Sequence, residues 1–247
     1  MDVLTDHNTA FEVEDRRPAL ALLPVGATEQ HSRHLPLATD TLLGEQLSGE
    51  ILSAVDRSEA ALLLRTLPIS SSEENTGFIG TVSFSPLTMR GIVRDAWESV
   101  SRVGIRWLVV AAWHGGNFIL KPVVRESNHE MGRCGVIYLN PWEHVPKAVY
   151  DQFASGFEVH CGDVETSLML ALCPDTVRND RRDNPVAFNA IWQDMFSMKT
   201  LSGGEGHAGH PTQATAEKGR DLARTVVDHT ARYLEGILQM AERHERY

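Results

Sequence analysis

Two carboxylates and two imidazoles follow a predicted buried strand within one short stretch of the chain. Residues Leu22–Asp40 read LLPVGATEQHSRHLPLATD, and the apolar start predicts a strand that breaks at a proline and a glycine. The polar remainder contributes Glu29, His31, His34 and Asp40. Oxygen and imidazole donors together suit a divalent Zn, Mn or Fe ion rather than a metal selected by thiolates. The stretch therefore predicts a divalent-metal site just beyond the strand.

The spacing within this stretch favours convergence of the donors. Glu29 and His31 are two residues apart, so an extended segment would direct both side chains to the same side. Asp40 opens a helical pattern, where its carboxylate could cap the helix and also face the site. The alternative is a polar loop with a hydrogen-bonded histidine and an N-cap aspartate, and a Glu-x-His pair alone does not exclude it.

A second polar cluster, His114-Gly115-Gly116-Asn117, directly follows another predicted strand. Two glycines would let the backbone approach a ligand closely or adopt positive φ, while the histidine projects from the end of the strand. The alternative is a turn histidine in front of two glycines.

A third cluster, EVHCGDVETS at Glu158–Ser167, places His160 and Glu165 on either side of a glycine. A carboxylate near a histidine orients the imidazole and tunes its pKa, as a proton-transfer pair requires. The alternative is a helix start, with Asp163 and Glu165 at the positive end of the helix dipole. The Gly-rich run Leu201–Gln213 could form a polar lid or a mobile surface loop.

Strand-like and helix-like patterns alternate through the first half of the chain. Apolar runs predict strands at Ala19–Val25, Ala61–Leu67, Arg106–Trp113 and Gly135–Asn140. Periodic apolar residues predict helices at Thr41–Val55, Thr88–Arg102 and Phe118–Met131, and Ile69–Gly80 reads as a polar loop. This alternation predicts an α/β fold with a mostly parallel sheet and helices on both faces. Ligands bind outside the carboxyl ends of such strands, where TEQH, SSEEN and HGGN are expected.

The second half of the chain is less regular. Asp163–Leu172 predicts a short helix, Arg178–Met198 has weak periodicity, and Ala214–Arg243 predicts a long amphipathic helix. No linker divides the chain, so we expect a single domain over residues 1–247.

Composition excludes several classes of function. The net charge is -10 and the basic residues are scattered, which argues against a nucleic-acid partner. The apolar runs are shorter than the roughly 18 residues of a membrane span, and the N-terminus has no signal-peptide pattern. Cys134, Cys161 and Cys173 form no CxxC pair, which indicates reduced thiols. We expect a cytoplasmic protein with a small-molecule substrate and no membrane partner.

Five motifs in this order resemble the creatininase (creatinine amidohydrolase) family. GATEQHSRHLPLATD is similar to the family's G-S-T-E-Q-H-G-x-H-L-P-L-x-T-D, and GFIGTVS is similar to its F-P-G-T segment. HGGN matches G-H-G-G-N, and GDVETSLMLALCPDTV resembles G-E-x-E-T-S-x-M-L-x-x-x-P. GHPTQATAEKG is similar to G-D-P-x-x-A-T-x-E-K-G. The resemblance covers nearly the whole chain.

The resemblance implies a three-layer α/β/α fold, a binuclear metal centre and assembly as a homohexamer. By position, Glu29, Asp40 and His114 would hold one metal, and His31 with the bridging Asp40 would hold the second. Zn is the expected metal, with Mn or Fe as alternatives.

One metal-ligand position differs from the family pattern. In creatininase the last ligand is a glutamate two residues after the HGGN-type histidine, and that position is Gly116 here. Members with HGGN use the glutamate of E-T-S instead, which is Glu165. This residue is therefore expected as a metal ligand or a catalytic group, and His160 matches the family's catalytic histidine.

Three further residue pairs differ from the usual family sequence, and we expect them at the pocket mouth rather than at the metals. They are Ala112-Trp113, Ser32-Arg33 and Glu74-Asn75.

These observations predict a metal-dependent hydrolase acting on a small cyclic amide, a formamide or a related C–N bond. Two divalent ions would activate a water molecule and polarise the carbonyl, and His160 would pass a proton to the leaving nitrogen. The alternatives are a peptide-trimming hydrolase or a keto-sugar or lactone ring-opening hydrolase of the same family, and a non-catalytic metal-binding scaffold.

Overall fold

The computed structural model describes residues 1–131, 135–187 and 197–244. Within these ranges five strands form one parallel sheet in the order β1-β3-β2-β4-β5. The strands are β1 Asp2–Leu4, β2 Leu20–Val25, β3 Ala60–Leu63, β4 Trp107–Ala112 and β5 Val136–Leu139. The register pairs Leu20 with Ala61 on one side and with Trp107 on the other. The mostly parallel sheet predicted from the sequence is confirmed.

Helices connect and cover the strands. They are α1 Ala10–Arg16, α2 Thr39–Ala54, α3 Pro86–Arg102, α4 Leu120–Met131, α5 Pro141–His144, α6 Lys147–Tyr150, α7 Asp163–Leu172, α8 Met198–Leu201 and α9 Ala216–His244. Single 3-10 turns lie at Glu73–Asn75, Gly115–Ile119, Pro174–Thr176 and Pro211–Gln213. In the described part of the chain, no helix combines the length and the apolar character needed to cross a bilayer.

The central strand β2 is buried on both faces, because its alternate side chains enter two separate cores. Leu20 and Leu22 pack into a core formed with α2, α7 and α9. Ala21 and Leu23 pack into the opposite core, which is formed with α3 and α4. The sheet is therefore the middle of three layers, as the α/β/α prediction requires.

The predicted elements agree with the structure except at short or polar segments. β1 has three residues and α1 buries none of its side chains, so neither gives an apolar pattern. A capping box between Thr9 and Glu12 instead marks the start of α1. The second predicted strand ends at Leu63, and Leu67 pairs with Val25 only through an isolated bridge. Most of the weakly periodic stretch Arg178–Met198 is described, but residues 188–196 and Cys134 lie outside the described residues.

Helices α7 and α9 pack closely because a glycine lies at their contact. A Cβ atom on Gly219 would lie 1.9 Å from the carbonyl oxygen of Ser167, which is far inside van der Waals contact. Nearby, Lys218 Nζ donates to the buried carboxylate of Asp163 at 2.6 Å. The position of α7 relative to the core therefore depends on the absence of a side chain at Gly219.

We expect Gly219→Ala to lower the free energy of unfolding by about 1–3 kcal/mol, the usual cost of an extra methyl group in a closed contact. The matched control is Gly236→Ala in the same helix, where a Cβ would have no neighbouring atom within 4 Å. The control should be neutral or stabilising by up to about 1 kcal/mol, because alanine has the higher helix propensity. Urea unfolding of both variants measures the difference. Equal stabilities would show that α7 and α9 do not meet at Gly219.

Candidate metal centre

The predicted donors come together at the carboxyl ends of the neighbouring strands β2 and β4. His114 lies two residues after the end of β4. The side-chain amide of Asn117 donates to the carbonyl of Val25 at 3.0 Å, which ties the two strand ends together. Gly26 lets the start of α2 pack on the end of β2, since a Cβ there would lie 2.6 Å from Thr41 Cα. This packing brings Asp40, the second residue of α2, to the same edge.

The carboxylate of Asp40 lies between two histidines. Oδ1 is 3.6 Å from His31 Nε2, and Oδ2 is 3.5 Å from His114 Nδ1. Glu29 Oε1 lies 3.2 Å from the same Nδ1 atom. Asp40 does not cap its helix, because the N-cap position is Ala38 and no side chain caps it. The capping role expected for Asp40 is therefore wrong, while the expected convergence of the donors is present.

The cluster contains buried polar atoms that lack hydrogen bonds. Within the described ranges, Glu29 Oε1, His31 Nε2 and Asp40 Oδ2 are buried and have no hydrogen-bond partner. Leaving such groups unpaired in the interior costs about 1–3 kcal/mol each, and more for charged groups. One oxygen from each of the two carboxylates and one nitrogen from the histidine lie within 4.8 Å of one another. Their number, type and burial suit a divalent cation.

The charges of the cluster also favour a cation. Burial opposes ionisation of Glu29, but the imidazoles of His114, His160 and His31 outweigh it and hold the pKa of Glu29 below its ordinary value. Burial also opposes the charged form of His31, but Asp40, Glu29 and Glu165 raise its pKa to about 9. The carboxylates at this edge therefore stabilise positive charge between them.

His160 and Glu165 lie beside the same cluster. The rings of His31 and His160 are 4.4 Å apart, and His160 Nδ1 is 3.7 Å from Glu29 Oε1. Donor atoms of His31, His160, Cys161 and Glu165 lie within 4.8 Å of one another. Glu165 Oε2 also accepts a hydrogen bond from the backbone N–H of Cys161 at 2.6 Å. The structure thus brings all five predicted ligands and the predicted catalytic histidine to one place.

Cys161 was not predicted as part of the site. It is buried with φ of 53°, and burial followed by the nearby carboxylates raises the pKa of its thiol well above the ordinary value. In the sequence Cys161 belongs to no metal-binding or redox motif, and only its position next to His160 could have indicated that it lies at the site. Cys173 is a second free cysteine, and it is only partly buried.

His34 does not join the donors. Its Nε2 lies 3.0 Å from Thr166 Oγ1 and 3.2 Å from the carbonyl oxygen of Cys161. Burial, followed by the charge of His207, lowers the pKa of His34 to about 4. The neutral ring therefore connects the segment after β2 with helix α7, and its role is structural.

The expectation for Glu74 and Asn75 is wrong, because both residues contact the donor cluster rather than the pocket mouth. Glu74 Oε1 lies 3.1 Å from His114 Nε2, and the Asn75 amide donates to Glu29 Oε2 at 3.0 Å. The 3-10 turn Glu73–Asn75 brings them there. From the sequence this segment is predicted only as a polar loop at the carboxyl end of a strand, because no periodic pattern indicates where its side chains point.

The Gly-rich run is fixed against the site over part of its length. Gln30 Nε2 donates to the carbonyl oxygen of Gly206 at 2.7 Å, and Ala208 forms an isolated bridge with His160. His207 and Ala208 are buried. These residues are therefore a wall of the site rather than a mobile surface loop.

Two cavities adjoin on this side of the site, and His160 lines the smaller of them. The smaller one, about 130 Å³, is lined by residues that include Gly115, His160 and Glu165. The larger one, about 910 Å³, shares Trp142, Tyr150 and Glu158 with it. A reactant in the small cavity would touch the candidate site, while the larger cavity could hold an extension of that reactant.

Comparison with known proteins supports a common origin for this arrangement. The model of the creatininase family, described as creatinine amidohydrolase, matches residues 6–234. The mycofactocin precursor peptide peptidase of Mycolicibacterium smegmatis is 31% identical over 220 residues, covering 86% of this chain and 83% of the relative. The creatinine amidohydrolase of Pseudomonas putida is 33% identical over 184 residues, covering 67% and 69%.

Solved structures of creatininases share the fold. A point variant of creatininase of the Zn-Zn type superposes with a TM-score of 0.81 at 27% identity, covering 96% of this chain and 98% of that chain. A Mn form of creatininase superposes with a TM-score of 0.80 at 26% identity, covering 95% and 98%.

Proposed function

Because the chain belongs to the creatininase family of metal-dependent amidohydrolases, we propose that it hydrolyses the C–N bond of a small cyclic amide, a formamide or a related compound at a two-metal centre. The observation that carries this proposal is the buried set of unpaired donors around Asp40. A buried cluster of carboxylates and imidazoles whose facing atoms lack hydrogen bonds is stable only when a cation or bound protons balance its charge.

The proposed ligands divide into two sets that share Asp40. Glu29 and His114 lie on the side of Oδ2, and His31 lies on the side of Oδ1. Glu165 would complete the set on the side of His31, since their donor atoms are within 4.8 Å. Zn fits these oxygen and nitrogen donors best, with Mn or Fe as alternatives.

Divalent ions bound there would supply Lewis-acid polarisation of the substrate carbonyl and a water molecule of lowered pKa. His160 would transfer the proton to the leaving nitrogen. Its Nε2 lies 2.8 Å from the carbonyl oxygen of Gln30, which can only accept, so the proton of the neutral ring is on Nε2. Nδ1 is then the basic atom that faces the cluster, and it would take a proton and return it to the leaving nitrogen.

The first test of this proposal is metal content. We expect purified protein reconstituted with Zn to hold two ions per chain, and Asp40→Ala to lose metal and turnover while remaining folded. The matched control is Asp56→Ala, which removes the same charge at an exposed position just after α2. Elemental analysis, circular dichroism and amide hydrolysis measure the three properties.

Wild-type protein that binds no metal after reconstitution would refute the two-metal centre. A single ion per chain would remove the bridging role of Asp40. Glu165→Gln tests the ligand at which this chain departs from the creatininase pattern: full metal and full activity in this variant would leave Glu165 as a helix-start carboxylate alone.

His160→Ala should keep both metals and the fold but lose rate on substrates with poor leaving groups. We expect a fall of roughly 10²–10⁴, the usual contribution of general acid–base catalysis. Substrates with good leaving groups should be affected much less, because their leaving nitrogen needs little protonation. Paired kinetics on the two substrate types, with metal content and melting temperature beside them, separate a proton donor from a structural residue. Equal losses on both types would exclude the catalytic role.

A second candidate function is the trimming of a peptide at an amide bond near its end. The larger cavity favours it, because about 910 Å³ exceeds the space that a formamide or a small ring would occupy. Trp142 and Tyr150 line this cavity and supply the aromatic surface that peptide side chains pack against. The peptidase of Mycolicibacterium smegmatis also falls among the relatives.

A cavity-filling substitution distinguishes the two candidates. Ala154 lines only the larger cavity of the two, so Ala154→Trp should cut turnover of peptide amides about tenfold or more and leave small amides unchanged. Ala148→Trp is the control, because Ala148 is exposed on α6 and lines neither cavity. Kinetics on both substrate types measure the effect. A wild-type enzyme that cleaves small amides but no peptide would exclude the second candidate.

The expected homohexamer, cytoplasmic location and single domain stay predictions. Ile79, Leu87 and Phe118 expose most of their side-chain surface, so apolar area is available for contacts between copies of the chain.

A further inference from the structure

His114 has a carboxylate on each side of its ring. Nδ1 faces Glu29 and Asp40, at 3.2 Å and 3.5 Å. On the opposite edge, Nε2 lies 3.1 Å from Glu74 Oε1, 2.9 Å from the carbonyl oxygen of Ser71 and 3.3 Å from Ser72 Oγ. A carbonyl oxygen can only accept, so Nε2 carries a proton and donates it on this side.

The space for Glu74 exists because residue 116 is a glycine. A Cβ on Gly116 would lie 2.9 Å from Glu74 Oε1, 2.5 Å from His114 Nε2 and 2.2 Å from the carbonyl oxygen of Ser71. Any side chain at this position would therefore separate the Glu74 carboxylate from the histidine. Glu74 is also mostly shielded, with 18% of its side chain exposed.

We propose that Glu74 is the positioning residue of His114. It accepts the Nε2–H proton together with Ser71, fixes the orientation of the ring and leaves the Nδ1 lone pair directed at Glu29 and Asp40. Gly116 is the residue that makes this contact possible. The inference rests on the proposed metal centre, since a fixed Nδ1 lone pair has a use only when that atom binds a cation.

The carboxylate contributes more than the carbonyl of Ser71 can. A carbonyl oxygen fixes the ring orientation, but a carboxylate also adds a negative charge that makes the imidazole a stronger donor. Glu74 also balances part of the positive charge of a cation without occupying a coordination position. Glu74, Glu29 and His114 each offer one donor atom within 4.8 Å of one another, so direct ligation is the alternative that the test below must separate. The carboxylate of Glu74 faces Nε2, whereas Glu29 and Asp40 face Nδ1, and this placement is the ground for the positioning role.

The test compares Glu74→Gln with Glu73→Gln. Glutamine keeps the size of the side chain and an oxygen that accepts a hydrogen bond, but it removes the charge. Glu73 is the adjacent residue, it is exposed, and its substitution changes the net charge of the protein equally. We expect Glu74→Gln to weaken Zn binding by about 10–100-fold, the usual effect of losing such a partner. Glu73→Gln should leave Zn affinity unchanged.

Three measurements decide the outcome: Zn affinity by chelator competition, the melting temperature of metal-free protein, and the Nε2–H proton resonance of His114 in Zn-loaded protein. We expect the affinity and the resonance to change in Glu74→Gln, with a metal-free melting temperature equal to that of Glu73→Gln. Unchanged Zn affinity in a wild type that binds two ions would overturn the role of Glu74 and leave the metal centre intact. Loss of one of the two ions would make Glu74 a direct ligand and also overturn it. A wild type without metal would instead refute the proposed function itself.

Discussion

The carboxylate of Asp40 lies between His31 and His114 with 2% of its surface exposed, and the surrounding structure is arranged to hold it there. An ionised carboxylate in a protein interior is costly unless opposite charge and hydrogen bonds compensate it. Its two oxygens face two different histidines, so compensation requires that chain segments from β2, α2 and β4 meet within a few ångströms. The absence of a side chain at Gly26 and the hydrogen bond from the Asn117 amide to Val25 allow these segments to pack together.

A layer of uncharged polar groups surrounds the charged cluster and fixes its orientation. Asn75 donates to Glu29 and accepts from Gln30, while Gln30 also donates to the backbone of Gly206. This chain of hydrogen bonds connects the segment after β2 with the 3-10 turn at Glu73–Asn75 and with the Gly-rich run. Because buried networks of this kind are stable only when each member is satisfied, they select one arrangement of the loops. The loops of this site are therefore as well determined as its strands.

The second half of the chain brings Glu165 to the cluster through a separate set of packing contacts. Helix α7 carries Glu165, and its position is set by the contact of Ser167 with Gly219 and by the buried pair of Asp163 and Lys218. Activity would thus depend on helix packing on the face of the sheet away from α3 and α4. A change at this packing contact would move Glu165 relative to His31, although no residue of the contact touches the donors around Asp40.

The sequence by itself determined the layered fold and the polar segments that gather at one edge of the sheet. Alternating apolar runs and helical stripes are local patterns, and burial of β2 on both faces follows directly from its unbroken apolar sequence. Polar residues after parallel strands meet at one edge of the sheet, which is why the segments TEQH and HGGN were expected there. The five-motif resemblance grouped Glu29, Asp40 and His114 as metal ligands, and it assigned roles to Glu165 and His160, which local patterns left open between catalysis and helix capping.

Only the tertiary structure decided which polar side chains face the cluster and which merely support it. His31 and His34 are both histidines of the same short polar segment, so the sequence does not distinguish them. In the structure His31 contacts Asp40, whereas His34 contacts Thr166. Glu74 and Asn75 lie in a segment without periodicity, so nothing local fixed their direction. Their roles depend on the volume left free at Gly116 and on contacts with His114 and Glu29, which lie 40 or more positions away in the chain. Such orientations are set by long-range packing, which a single sequence does not encode in any pattern of neighbouring residues.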